Sequence, residues 1–135
     1  MTEKLFLVVL GEPVPKGRAR SRAVTTKAGK TFVSHFTPKA TRAYEDKIKV
    51  TCQMAVNLAR WTWTKADRFR VIINVYRTHE GAGGDIDNTG KACLDAINKV
   101  AFADDRYVRE LGMRLRQDAS RPRVEITVTK ITEAA

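Results

Sequence analysis

The chain has 135 residues, 43% hydrophobic and 30% charged, with a formal net charge of +10 at pH 7. These fractions fit one folded domain with a genuine core and exclude a disordered chain. No apolar run approaches a membrane span and no charged-then-apolar leader is visible, so a cytoplasmic protein without membrane contact is expected.

Lys4 to Leu10, KLFLVVL, is rich in β-branched and aromatic residues and reads as a buried strand, stopped by Gly11-Glu12-Pro13-Val14-Pro15. From Pro13 to Tyr44 the chain contains no acidic residue, while it carries Lys16, Arg18, Arg20, Arg22, Lys27, Lys30, Lys39 and Arg42. Cations without local counter-charges repel one another, and phosphates relieve that repulsion. The region at about 13–36 is therefore read as a basic nucleic-acid-binding arm, against the plainer reading of a solvated loop. Within it, Ala28-Gly29-Lys30 suits the tip of a loose hairpin with arms at Val24–Thr26 and Thr31–Val33, and Phe32 and Phe36 suit either base stacking or core packing.

Thr37-Pro38 pairs a hydroxyl N-cap with proline at the first helical position. Tyr44, Ile48, Cys52, Ala55 and Ala59 then recur at helical spacing and predict a helix ending near Leu58 or Arg60. Trp61 and Trp63 form a tight aromatic pair expected to anchor the helix end or a subunit contact, with no part in catalysis. Phe69 to Tyr76 alternates as a second strand, and Gly81, Ala82, Gly83 and Gly84 make a turn. A second helix follows, capped by Asp85 or Asp87, with Ala92, Ala96, Ile97 and Val100 facing inward. Val108 to Arg116, with Leu111, Met113 and Leu115 on its core side, and Arg123 to Lys130 are two further strands, expected to pair antiparallel across a turn. The whole reads as a single α+β domain, a small mixed β-sheet of about four strands with two main helices.

Cys52 and Cys93 lack zinc-site spacing and read as buried free thiols; His35 and His79 have no second ligand at a short fixed distance and read as loop residues.

The acidic residues concentrate where the chain is otherwise basic. Asp85 and Asp87 open the second helix, Lys91 lies four residues after Asp87, and Asp104-Asp105 close the segment. Hard oxygen ligands suit Mg²⁺, with Mn²⁺ as a substitute, rather than zinc. Two such ions about 3.5–4 Å apart activate water and stabilise the leaving oxygen of a phosphodiester. Lys91 is placed to steady a carboxylate or to add positive charge at the transition state. Convergence of Asp104-Asp105 with Asp85 and Asp87 depends on a turn that returns the chain. Helix capping accounts for one or two of the aspartates but not for Asp104-Asp105. A calcium loop accounts for Asp85, Asp87, Thr89 and Gly90 but has Ala96 where a bidentate glutamate is required. A non-catalytic nucleic-acid-binding protein therefore stands beside the nuclease reading.

Asp85-Ile86-Asp87-Asn88, Lys91, Asp95-Ala96 and Phe102-Ala103-Asp104-Asp105 resemble the RusA-type Holliday junction resolvases, as do Gly11-Glu12-Pro13-Val14-Pro15-Lys16 and Thr37-Pro38 leading to Tyr44. The resemblance implies a RusA-like fold and a metal-dependent homodimeric endonuclease that cuts four-way DNA junctions by paired symmetric nicks; a nuclease acting on other branched DNA, such as forks or flaps, is the alternative. It implies Asp85, Asp87 and Asp105 as Mg²⁺ ligands, Asp104 as a helper, Lys91 as catalytic and Asn88 in a supporting DNA-binding role. Relatives of this kind often belong to phages or prophages. Two positions depart from the pattern: Gly84 stands where relatives often carry a basic residue, and Gly90 weakens the helix by up to about 1 kcal/mol relative to alanine.

Overall fold

Period-two alternation of apolar residues builds the sheet. In the computed structural model, which describes residues 3–15, 20–36, 39–80 and 85–132, six strands form: β1 (Lys4–Leu10), β2 (Arg20–Thr25), β3 (Thr31–Phe36), β4 (Arg68–Arg77), β5 (Val108–Gln117) and β6 (Arg123–Ile131). Two helices, α1 (Lys39–Ala59) and α2 (Ile86–Ile97), and a short 3-10 turn, Asp105–Tyr107, complete the chain. The result is a single α+β domain with a four-stranded mixed sheet, order β1-β6-β4-β5, two helices, and a separate β2-β3 pair.

The core is laid out in rows across the sheet. Leu5 pairs with Val128 and Val128 with Val71; Leu7, Ile126, Ile73 and Met113 form the next row; Val9, Val124, Val75 and Leu115 the third. The Leu, Val and Ile members on β1, β4 and β6 are fully buried. Both helices pack on this face, α1 over β1 and α2 over β4 and β5. On α1 the predicted stripe is realised, with Tyr44, Ile48 and Cys52 buried and Ala55 and Ala59 packed against the core at its edge. Thr37-Pro38, read as the start of this helix, lies outside the described residues.

β5 and β6 do not pair with each other, contrary to the expectation from their short connection. β4 lies between them, parallel to β5 and antiparallel to β6. β4 has the fully apolar inner face that a central strand needs, whereas β5 exposes Arg109, Glu110, Arg114 and Arg116, the charged dress of an edge strand. Leu111, expected on the core side, is 45% exposed for the same reason. The connection crosses the end of β4, where the Asp118 N–H donates to the Arg77 carbonyl at 2.9 Å. β4, α2 and β5 are thus a parallel β-α-β unit, and this unit carries the acidic segment.

β2 and β3 form a hairpin longer than its predicted arms, and it takes His35 into β3 rather than a loop. Gly29 adopts φ 83°, and the turn closes with Thr26 N–H to Lys30 O at 2.8 Å and Gly29 N–H to Thr26 O at 2.9 Å. Among the described residues no helix is long and apolar enough to cross a membrane.

Candidate active site

Asp85 occupies the N-cap position of α2 with extended backbone (φ −67°, ψ 156°), and its carbonyl accepts the Thr89 N–H at 3.1 Å. Its carboxylate makes no capping hydrogen bond, so capping does not consume it. Asp85, Asp87 and Asn88 are exposed at the mouth of the helix, while Thr89, Gly90, Ala92, Cys93, Ala96 and Ile97 are buried along its inner face. Asp87, Lys91 and Asp95 follow one another at four-residue steps and so share a face. The ion pair on that face is Lys91 with Asp95, at 3.8 Å.

After α2 the chain turns sharply. Val100 and Ala101 N–H groups both donate to the Ile97 carbonyl, at 3.1 and 3.0 Å, and Lys99 adopts the left-handed φ of 69°. Such a conformation costs a non-glycine residue about 1–2 kcal/mol, so the turn needs outside support. Two indoles supply it: Trp61 Nε1 donates to Ala101 O at 2.7 Å and Trp63 Nε1 donates to Val100 O at 3.1 Å. Left unmet, a buried carbonyl costs about 1–3 kcal/mol. The buried Phe102 ring is also held, packed against Phe69 (centroids 5.4 Å apart), which packs against Trp61 (6.2 Å).

The direction of Trp61 is set where α1 ends. Trp61 N–H donates to Val56 O at 3.0 Å and Arg60 N–H to Asn57 O at 3.4 Å, with Arg60 at φ 55°. This is the Schellman ending of a helix, with arginine in the place usually held by glycine. Trp61 therefore does anchor the end of α1, as expected of the pair. It also holds the turn leading to Asp104 and Asp105, which sequence reasoning missed because residues 61 and 101 are related only by the fold.

Asp104 and Asp105 emerge from that turn. Asp104 Oδ1 accepts the Arg106 N–H at 3.2 Å, and Lys99 Nζ lies 4.0 Å from its Oδ2. The Arg106 N–H is the main reason the Asp104 carboxyl lies below the usual range, helped by a hydrogen bond with Asp105 and by the Lys99 charge. Asp105 is pushed the other way, first by its hydrogen bond with Asp104, then by burial and by the charges of Asp104 and Asp95, with Lys91 opposing.

The fold sets Lys91 beside Asp95 and Lys99 beside Asp104, and Asp105 feels the charges of Asp95 and Lys91. Asp85 and Asp87 stand at the mouth of α2, a helix about 18 Å long. Among the described residues no three acidic, histidine or cysteine side chains are grouped closely enough to hold a metal ion on their own. The donor chemistry nevertheless fits a hard divalent cation, because the acids are exposed or partly exposed oxygen donors. The four-residue spacing of Lys91 and Asp95 can be read from the sequence, whereas the influence of Asp95 on Asp105 arises only in the fold.

Lys27 and Lys30 are exposed on the turn of the β2-β3 hairpin, and Arg20 and Arg22 belong to β2. Lys16 and Arg18 lie outside the described residues, as do Gly81, Ala82, Gly83 and Gly84. The root of the arm and the root of the acidic segment are joined by one side chain. Glu12 accepts the Thr78 N–H with both carboxylate oxygens, at 3.3 Å each, and the Thr78 hydroxyl donates to it as well. Cys52 and Cys93 are buried free thiols, each pushed up to about 12 by burial and so held un-ionised.

The family model for endodeoxyribonuclease RusA matches residues 11–129, from the root of the basic arm to near the end of β6. No curated protein matches the sequence. The chain belongs to the RusA endodeoxyribonuclease family. Membership implies an enzyme that acts on DNA, of the Holliday junction resolvase type, in a family whose nucleases are generally metal-dependent.

Proposed function

We propose that the protein is a Mg²⁺-dependent, structure-selective endonuclease that resolves Holliday junctions by paired symmetric cleavage as a homodimer. The observation that supports this reading is that Asp104 and Asp105 stand on the turn following α2, the helix whose mouth presents Asp85 and Asp87 and whose Lys91 pairs with Asp95. An acid cluster of this kind repels DNA unless a cation accompanies it, and the chain's net charge of +10 provides the grip.

Asp85, Asp87 and Asp105 would hold Mg²⁺, or Mn²⁺ in its place, with Asp104 assisting. When bound, the ion would supply Lewis-acid charge and lower the pKa of a coordinated water. Lys91, steadied by Asp95, contributes an ammonium to the charge that develops on the phosphate. Asn88 supports from the first turn of α2. Lys16, Arg18, Arg20, Arg22, Lys27 and Lys30 bind the DNA backbone through the arm at about 13–36, and together with the body form one functional domain. A two-fold enzyme suits a substrate that must be cut twice. Two buried thiols suit a reducing compartment, consistent with the cytoplasm of a bacterial host.

The test is a side-by-side digestion of a four-way junction, a fork and a linear duplex, with and without Mg²⁺. The expected result is paired nicking of the junction that needs Mg²⁺ and is abolished by Asp87→Asn, with junction binding retained in metal-free gel shifts. Wild-type cleavage by Asp87→Asn, or no metal-dependent nicking of the junction, overturns the reading.

A further inference from the structure

Asp104 and Asp105 stand on a turn that does not stabilise itself. It contains the left-handed Lys99, a conformation that is costly for a non-glycine residue. What faces the turn from outside is a pair of indoles from the segment after α1, donating to two successive carbonyls, Val100 O and Ala101 O. An indole N–H is a donor only, so a carbonyl is its natural partner, and a planar ring on a packed backbone leaves it little freedom. Trp61 is locked in turn by the helix-ending bonds at Val56 and Asn57, by Phe69, and by Lys130, whose ammonium lies 4.9 Å from the ring centre. The chain from the end of α1 to Asp104 is therefore continuous: helix ending, indole, carbonyl, turn, carboxylate.

We propose that Trp61 and Trp63 are positioning residues for the Asp104–Asp105 pair, setting where these carboxylates meet a divalent cation; the proposal rests on the nuclease reading above. Neither indole touches the reacting atoms. Their contribution is to fix the carbonyls three and four residues before Asp104, so that the acids need not be ordered anew when cation and DNA arrive. Displacing a reacting group by a small distance costs far more rate than stability.

Trp63→Phe is the informative change, because the side chain is only half-buried and phenylalanine keeps a ring while deleting the N–H. Its counterpart is Ile126→Val, a fully buried change on β6 that makes no hydrogen bond to the turn and lowers the melting temperature. Three quantities are compared in the full-length protein: the nicking rate at saturating four-way junction with Mg²⁺, junction affinity in metal-free buffer, and quenching of indole emission by Mn²⁺ without DNA. Trp61 remains as the emitter in Trp63→Phe, since the chain has two tryptophans.

The expected result is a rate about tenfold or more below wild type for Trp63→Phe. A higher half-saturating Mn²⁺ and unchanged junction affinity accompany it, while Ile126→Val keeps the wild-type rate and Mn²⁺ response. A wild-type rate and Mn²⁺ response for Trp63→Phe overturns the proposal. So does an equal loss in Ile126→Val, which makes the effect one of stability, or a parallel fall in junction affinity, which makes it one of DNA grip. If the wild type nicks no junction, the nuclease reading falls, and the Mn²⁺ titration alone then decides whether the indoles position the acids.

Discussion

The backbone of Gly90 on α2 lies against the Met113 thioether of β5: a Cβ at residue 90 would stand 2.1 Å from the sulfur and 2.7 Å from the terminal methyl. The glycine that weakens α2 in isolation is therefore what lets α2 settle on the sheet. The same contact holds the helix that carries Asp87, Lys91 and Asp95 against the strand that follows Asp105.

Gly90→Ala sets two effects against each other. Alanine gains about 1 kcal/mol of helix propensity, whereas overpacking against a neighbour costs about 1–3 kcal/mol. The expected outcome is a net loss of about 1 kcal/mol in a denaturant melt. Met113→Ala makes room, so the double variant should be less destabilised than the sum of the singles. Simple additivity refutes direct contact as the reason for glycine.

The bond between Glu12 and Thr78 links positions 66 residues apart, each of them leading into a segment with a proposed role in function. Thr78→Val and Glu12→Gln should each lower stability, and a double-mutant cycle should show a coupling of about 1 kcal/mol. In nicking assays the threonine variant should lose activity and Thr78→Ser should retain it, since serine keeps the hydroxyl. A coupling of zero makes the bond incidental.

Asp118 supplies the pH dependence. The guanidinium of Arg123, 2.8 Å away, holds its carboxyl below the usual carboxylate range, helped by the Ser120 hydroxyl at 2.9 Å. A folded-state pKa below the unfolded one means that its stabilisation is present above the unfolded pKa and is lost as pH falls through the folded pKa. Asp118→Asn should therefore lower the melting temperature slightly at neutral pH, and the difference should close in acid. A gap that widens on acidification contradicts the assignment.

The arm makes a prediction about salt. If Lys27 and Lys30 each neutralise one DNA phosphate, changing either to alanine should reduce the slope of log affinity against log salt by about 1. The loss should be similar for junctions of different sequence, because phosphate contacts carry no base information. An unchanged slope removes the hairpin turn from the DNA-binding surface.

Much of this protein was legible in its amino acids for a local reason. Alternation in Phe69–Val75 and Val124–Val128 has period two, and the stripe Tyr44-Ile48-Cys52 has the helical period, so each element announces its own conformation and buried face. The acidic residues were legible too, because Asp85, Asp87, Lys91 and Asp104-Asp105 fall within one short segment of a basic chain. The strand partners were not. The short link from β5 to β6 reads as a hairpin, whereas in the fold β4, with its fully apolar inner face, lies between them. Nor does any local pattern explain Gly90, whose reason is Met113.

By itself, then, the chain's sequence determined the elements, the charge balance, the membership of a nuclease family and the identity of the acids at the opening and close of residues 85–105. Tertiary structure alone decided what holds the acids at the close of that segment. Asp104 and Asp105 stand where the chain turns after α2, and that turn is held through indoles some forty residues earlier in the chain. Periodicity reports what a residue does with its neighbours in sequence. The position of a carboxylate depends on groups brought near only when the core forms, and their hydrogen bonds leave no spacing to read.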